Sequence, residues 1–212
     1  MILRKKLLQA LSILGMCSVI IAGGCASGED SSSKIKEGAA REEKADQEVL
    51  DAGGSEASDG GSLGEFAMED VNGETYTQEM FADHDLTMIN VFTTWCSPCI
   101  NEIPDLQKLC EEMKEQGVNV VGIALDTIGP SGSADAETVE IAKRLAEYTG
   151  ASYPFLIPDA GYLNGRLSGI NAVPETFFVD KEGNIVGETY SGSRSLEEWK
   201  EIVQTELKGV AQ

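Results

Sequence analysis

An α/β layer architecture is predicted by three features of the chain. Leu86–Phe92 is a nearly continuous apolar run, residues 118–125 form a second, and a helical pattern lies between them. Strands covered on both faces read as unbroken apolar stretches, and strand, helix, strand in that order implies a right-handed parallel crossover. The helix occupies residues 98–115, where Ile100, Ile103, Leu106, Leu109 and Met113 recur on one face. Ahead of this unit, residues 66–77 alternate around Asn72-Gly73, a dipeptide that supplies the positive φ angles of a tight hairpin, so two short strands open the domain. Behind it, a Gly/Ser-rich loop over 127–134 leads to an amphipathic helix at 137–148, a short strand at 154–157 and a helical turn at 161–168. Strands at 176–180 and 184–190 form a hairpin across Lys181-Glu182-Gly183. A helix over 195–207 closes the domain, with Ser195 as N-cap and Glu198 completing a capping box.

Composition narrows the function classes. The 212 residues carry 16 Lys+Arg against 36 Asp+Glu, a formal charge of −20, with one His, five Cys and 42% apolar residues. So acidic a chain lacks the cations needed to displace phosphate counterions, which argues against nucleic-acid binding. Ordinary apolar content excludes both a polytopic membrane protein and a wholly disordered chain. Five cysteines are too few for a disulfide scaffold at this length, so each is explained by its position.

Residues 1–24 read as a signal peptide, with Arg4-Lys5-Lys6 ahead of a short apolar run that ends in Ala22-Gly23-Gly24. Cys17 falls inside that run and needs no further role. Residues 25–64 are rich in Gly, Ser and charge and hold few sizeable aliphatics, too little apolar surface to offset chain entropy. They are expected to form a flexible tether with a reach of ~35 Å. The remaining residues, 65–212, form the domain and keep most of the acidic excess, which favours solubility.

The strongest chemical signal is Trp95-Cys96-Ser97-Pro98-Cys99, where a buried strand gives way to a helix. The unpaired N–H groups and partial positive charge of a helix amino terminus stabilise a thiolate, the reactive form of cysteine. Two intervening residues bring the second sulfur within bonding distance of the first, so attack and resolution occur within one turn. Cys96 is expected to be exposed and Cys99 screened by the helix. A zinc half-site would need two further ligands, and the domain offers only Cys110 and His84, neither in a second ligand pair. No metal or cofactor is expected. An inert structural disulfide is the remaining alternative. Cys110 lies eleven residues beyond Cys99 on the same helix, a rise of ~16 Å, and reads as a small buried hydrophobe. His84, between Asp83 and Asp85, reads as an exposed turn residue.

The string Asn90-Val91-Phe92-Thr93-Thr94-Trp95-Cys96-Ser97-Pro98-Cys99-Ile100-Asn101-Glu102-Ile103-Pro104 resembles the active-site segment of thioredoxin-fold proteins, in particular the TlpA/ResA-like thiol:disulfide oxidoreductases. Pro104 matches the proline of their active-site helix. Ala172-Val173-Pro174-Glu175-Thr176-Phe177 resembles their cis-proline loop, and residues 137–157 look like their added helix and strand. The resemblance implies a thioredoxin-like fold with an N-terminal β-hairpin and a central helix-strand insertion. It further implies a redox pair Cys96-Cys99, with Cys96 attacking a substrate disulfide and Cys99 resolving the mixed disulfide. Val173 and Pro174 would dock the substrate backbone, while Trp95 and Pro98 shape the opening and Trp95 shields the sulfur. Where thioredoxins carry a buried Asp, this chain has Asn90, which cannot titrate. Glu102, one turn beyond Cys99, would manage protons instead.

Ile21-Ala22-Gly23-Gly24-Cys25 resembles a bacterial lipobox, which makes Cys25 the lipid attachment point, with Ala22 where Leu is more usual. The implied location is the extracytoplasmic face of the cell membrane. The implied partners are disulfide-bearing protein substrates and a membrane electron donor of the CcdA/DsbD type, and the implied direction is reduction. Three rivals stand beside this reading: a thiol peroxidase, suggested by the peroxiredoxin-like spacing of Thr93 and Cys96; a disulfide-forming oxidant; and a non-enzymatic binding or maturation adaptor on the same fold.

Overall fold

The computed structural model describes residues 61–210. The residues read as a signal peptide, the lipobox-like string with Cys25 and nearly all of the expected tether lie outside the described residues. The folded unit begins before residue 65. Leu63 is fully buried and its N–H donates to the Gly183 carbonyl, while Ser62 bridges Asn184 in antiparallel fashion. A single leucine in a polar stretch carries no periodicity, so the sequence alone assigns it to the tether.

Three-residue strands β1 (Ala67–Glu69) and β2 (Thr75–Thr77) pair antiparallel across the Asn72-Gly73 turn. Asp70 fastens that turn by accepting from the N–H groups of Asn72 and Glu74. The main sheet holds β3 (Leu86–Phe92), β4 (Val118–Ala124), β5 (Phe155–Leu156), β6 (Glu175–Val179) and β7 (Ile185–Ser191), in the spatial order β5-β4-β3-β6-β7. β3 pairs parallel with β4, and the crossover between them carries helix α1 (Ser97–Met113). β6 then enters antiparallel to β3, and β7 antiparallel to β6. Every residue of β3 is buried, as its unbroken apolar run requires of a central strand. The inserted helix α2 (Ala136–Thr149) delivers β5 to the sheet edge, parallel to β4.

Side-chain alternation splits the core in two. On one face Met88, Phe92, Val120 and Phe178 meet Ile103 and Leu106 of α1, Leu145 of α2, and Trp199 and Val203 of α3 (Leu196–Val210). On the other, Ile89, Val121, Ile123, Phe177 and Val179 pack against Leu63, Phe66, Met68, Phe81, Leu163 and Leu167. Helix α3 starts with the expected reciprocal cap: Glu198 accepts from the N–H and hydroxyl of Ser195, and its own N–H donates to Ser195 Oγ.

Residues 161–168 depart from expectation. They turn, but with the opposite hand: Tyr162, Leu163 and Asn164 have φ of 49°, 49° and 55°, and Gly165 follows at 85°. Apolar spacing reports only that Leu163 and Leu167 face inward. It carries no information on handedness, and tertiary contacts hold the turn here, including the Asn164 amide donating to the Ser62 carbonyl.

Candidate active site

Cys96 ends the loop after β3 and is the N-cap of α1, with extended backbone (φ −79°, ψ 102°). Its Sγ accepts from the Cys99 N–H at 3.3 Å, at the positive end of the helix dipole. Pro98 sits in the first turn, where no N–H partner is required. Cys96 and Cys99 are joined in a disulfide. Cys99 is fully buried, as expected. Cys96 is not exposed but only 5% accessible, because its sulfur is bonded to Cys99 and stands 3.7 Å from the Val173 carbonyl oxygen, under the opposing loop. The Val173–Pro174 peptide bond is cis. Trp95 is 71% exposed, and Ser97 and Pro98 are exposed beside the pair.

Glu102 is 3% exposed. Its Oε1 accepts from the Arg194 N–H and the Trp199 indole N–H, each at 2.7 Å, and its Oε2 from the Asn90 amide at 3.4 Å. Burial pushes the carboxyl above the ordinary carboxylate range, against the opposing pull of these three donors and of the Arg194 guanidinium. Asn90 reaches further, donating to Thr176 Oγ1 at 3.0 Å, so the carboxylate is tied to the strand that follows Pro174. Glu102 also lines an open cleft with Ser97, Asn101, Asp105 and Arg194.

The structure thus brings Cys96, Cys99, Val173, Pro174, Trp95, Pro98 and Glu102 to one end of the sheet. Three further residues were not legible beforehand. Arg194 offers its backbone to Glu102 and lays its guanidinium over the rings of Tyr190 and Trp199, at 5.2 and 5.1 Å. Trp199 reads in sequence only as a core residue of α3. Asp126, just beyond β4, accepts from the Thr94 N–H at 3.0 Å and its hydroxyl at 2.7 Å, pinning the approach to Trp95 and Cys96. An acid at the carboxyl end of a buried strand was the available signal. Cys110 and His84 lie elsewhere, together in a recess with Tyr153. Cys110 is a free, half-buried thiol whose pKa burial raises, and His84 is half-buried rather than exposed, its N–H donating to the Phe81 carbonyl.

The profile of the AhpC/TSA family matches residues 60–187, more than half of the chain. The chain belongs to the AhpC/TSA family. Within this AhpC/TSA chain, similarity extends to thiol-disulfide oxidoreductase ResA of Halalkalibacterium halodurans, 28% identical over 144 residues that span 66% of this chain and 74% of ResA. Thiol:disulfide interchange protein DsbE of Haemophilus influenzae is 28% identical over 131 residues, spanning 62% of this chain and 64% of DsbE. The thioredoxin-like fold is shared with a thiol:disulfide interchange protein of the thioredoxin family from Chlorobium tepidum TLS, at TM-score 0.57 and 26% identity over 71% of this chain and 99% of that one. The pneumococcal exposed lipoprotein thioredoxin Etrx1 of Streptococcus pneumoniae TIGR4 matches at TM-score 0.50 and 26% identity, over 68% of this chain and 98% of its own. This AhpC/TSA member is a thiol-disulfide oxidoreductase of the ResA and DsbE type, with the Cys96–Cys99 pair as its redox centre.

Proposed function

We propose that the chain is a protein-disulfide reductase held by a lipid on Cys25 at the extracytoplasmic face of the cell membrane. The observation that carries the chemistry is the Cys96–Cys99 pair at a helix amino terminus, 3.7 Å from the carbonyl of Val173 in the opposing loop. In the reduced enzyme, the Cys96 thiolate attacks one sulfur of a substrate disulfide and expels the other as a thiolate. Cys99 then attacks the Cys96 sulfur of the mixed disulfide and releases the second substrate thiol. Two electrons pass to the substrate, and the enzyme is left as the disulfide. Val173 and Pro174 dock the substrate backbone, and Trp95 and Pro98 form the rim against which it lies. Glu102 takes the proton of Cys99 as that thiol becomes a nucleophile, a task suited to a carboxyl titrating above the ordinary range.

Outside the cytoplasm no soluble nicotinamide system recharges the pair, so a membrane donor of the CcdA/DsbD type supplies the electrons. The signal-like residues 1–24, the lipobox-like string before Cys25 and the lipoprotein relative support this location. In cells, a Cys99→Ala variant is expected to accumulate disulfide-linked adducts at Cys96 that a second change, Cys96→Ser, removes. Absence of adducts would overturn the proposal. Labelling with a radioactive fatty acid, lost in Cys25→Ser, tests the anchor.

A second reading, thiol peroxidase, is favoured by one observation: the buried Thr93 hydroxyl, three residues before Cys96, has no hydrogen-bond partner among the described residues. Such a group is available to orient a peroxide. Cys96 would then open the O–O bond to give a sulfenic acid, and Cys99 would condense with it, releasing water. Turnover of hydrogen peroxide with a dithiol reductant, abolished in Thr93→Val, distinguishes this chemistry from reduction of proteins.

A further inference from the structure

The proposed docking loop is closed from behind by an ion pair that the reaction itself does not use. Arg166 Nη1 lies 2.9 Å from Glu175 Oε1, and both side chains are only 17% exposed. Glu175 directly follows Pro174, so the pair joins the two ends of the eight-residue segment 167–174 that carries Val173 and Pro174. The guanidinium also stacks over the Phe177 ring, 4.1 Å from its centroid, and Nη2 reaches Thr189 Oγ1 on β7 at 3.4 Å. It therefore grips β6 and β7 on the face opposite Glu102.

Two features of this grip oppose stability. Arg166 Nε is buried without a hydrogen-bond partner among the described residues, an unfavourable state for a charged donor. Arg166 is also presented by the left-handed turn in which three consecutive non-glycine residues, Tyr162, Leu163 and Asn164, hold positive φ. The unpartnered Nε, at the end of a left-handed turn, marks Arg166 as placed for its position behind the loop rather than for stability. A planar fork with one arm on Glu175 and the other on Thr189 fixes direction as well as distance, which an ammonium cannot do.

We infer that Arg166 is a positioning residue: with Glu175 it forms a latch that sets the docking loop against the Cys96 sulfur, and thereby selects extended protein disulfides over small ones. A small disulfide reacts at the sulfur and makes little use of the loop, whereas a protein segment lies along it. The inference rests on the proposed docking role of Val173 and Pro174.

The test uses reduced protein in single turnover, with insulin as the protein disulfide and uncharged 2-hydroxyethyl disulfide as the small one. The ratio of the two second-order rates is expected to fall about ten-fold in Arg166→Gln and in Glu175→Gln, the order of loss that slight misplacement of a substrate produces. The swapped pair Arg166→Glu/Glu175→Arg restores the ion pair without the arm on Thr189 and is expected to recover part of it. Should the neutral variants fail to fold, Arg166→Lys keeps the charge without the fork and is expected to lower the ratio by a smaller factor. A ratio unchanged in the Arg166 and Glu175 variants but lowered by Pro174→Ala would overturn the latch while leaving the docking role intact. A ratio unchanged in Pro174→Ala as well would overturn both. Equal loss of the two rates would assign the pair to folding and overturn the latch.

Discussion

Glu102 and Glu206 are buried carboxylates on two helices, α1 and α3, that pack together on the same face of the sheet, yet they keep different company. Glu102 is 3% exposed and Glu206 8%. Glu102 accepts three N–H donors from Asn90, Arg194 and Trp199, one turn from Cys99. Glu206 accepts the Tyr190 hydroxyl at 2.6 Å and the Glu188 N–H at 3.2 Å, in a recess lined by Asp180, Gly187 and Val210 and by none of the active-site residues. Burial and the neighbouring Glu206 push the Tyr190 phenol well above its ordinary range, so it stays a neutral donor. The rings of Tyr190 and Trp199 meet edge to face with centroids 6.0 Å apart, linking the two acids through one aromatic pair. A buried carboxylate is therefore no sign of chemistry in itself. Glu102 is set apart by lying one turn from a sulfur, whereas the recess beside Glu206 is lined by no cysteine.

That contrast can be broken at several points. Glu102→Gln is expected to slow thiol-disulfide exchange about 10²-fold and to remove one ionisation from its pH profile, because an amide neither accepts nor carries the proton. A profile identical to the parent would reduce Glu102 to architecture like Glu206. The same variant makes a stability test. With its folded pKa raised, native Glu102 holds a proton that the unfolded chain has released, so it favours the fold at acid pH. That contribution is lost as pH rises from the ordinary carboxylate range through the raised value. The Tm of Glu102→Gln should therefore gain on the parent across that window and level off above it, as read by thermal melts at stepped pH.

Gly187→Ala should cost about 2 kcal/mol in urea unfolding with exchange kinetics intact, since φ is +64° there and an added Cβ would strike the Glu206 carboxylate. Glu206→Gln should cost about 1 kcal/mol, the weakening of a hydrogen bond to a charged acceptor, and leave the exchange rate and its pH profile unmoved. A changed profile would mean that the two acids communicate through Tyr190 and Trp199. A displaced rather than a missing ionisation is expected from Trp199→Phe. Loss of its N–H removes a donor that favours the carboxylate, so the ionisation assigned to Glu102 should move to higher pH, read from the pH profile of thiol-disulfide exchange.

The architecture was legible where one physical signal dominated. Unbroken apolar runs marked β3 and β4, Asn72-Gly73 marked the opening hairpin, and Ser195 with Glu198 marked the start of α3. Legibility failed where the signal was shared or absent. Leu163 and Leu167 have the spacing of a right-handed turn and sit in a left-handed one, because spacing records which residues are buried and not the sign of φ. In the site, the CxxC pair announced itself through local chemistry. The Val173 carbonyl over Cys96 and the supports from Arg194, Trp199 and Asp126 did not, since each comes from a residue more than 30 positions away in the chain.

By itself the sequence determined the spacing of the candidate groups: two sulfurs a turn apart at a helix amino terminus, and a carboxyl one turn further along. Those relations are helical geometry, and a local pattern is enough to specify them. Only tertiary structure decided the environment of those atoms. The Val173 carbonyl over Cys96, the indole and backbone donors on Glu102, and Arg166 behind the Val173–Pro174 loop all come from distant segments packed on one sheet. Burial and hydrogen bonding across such contacts set proton affinity and access, and neither is a property of neighbours along the chain.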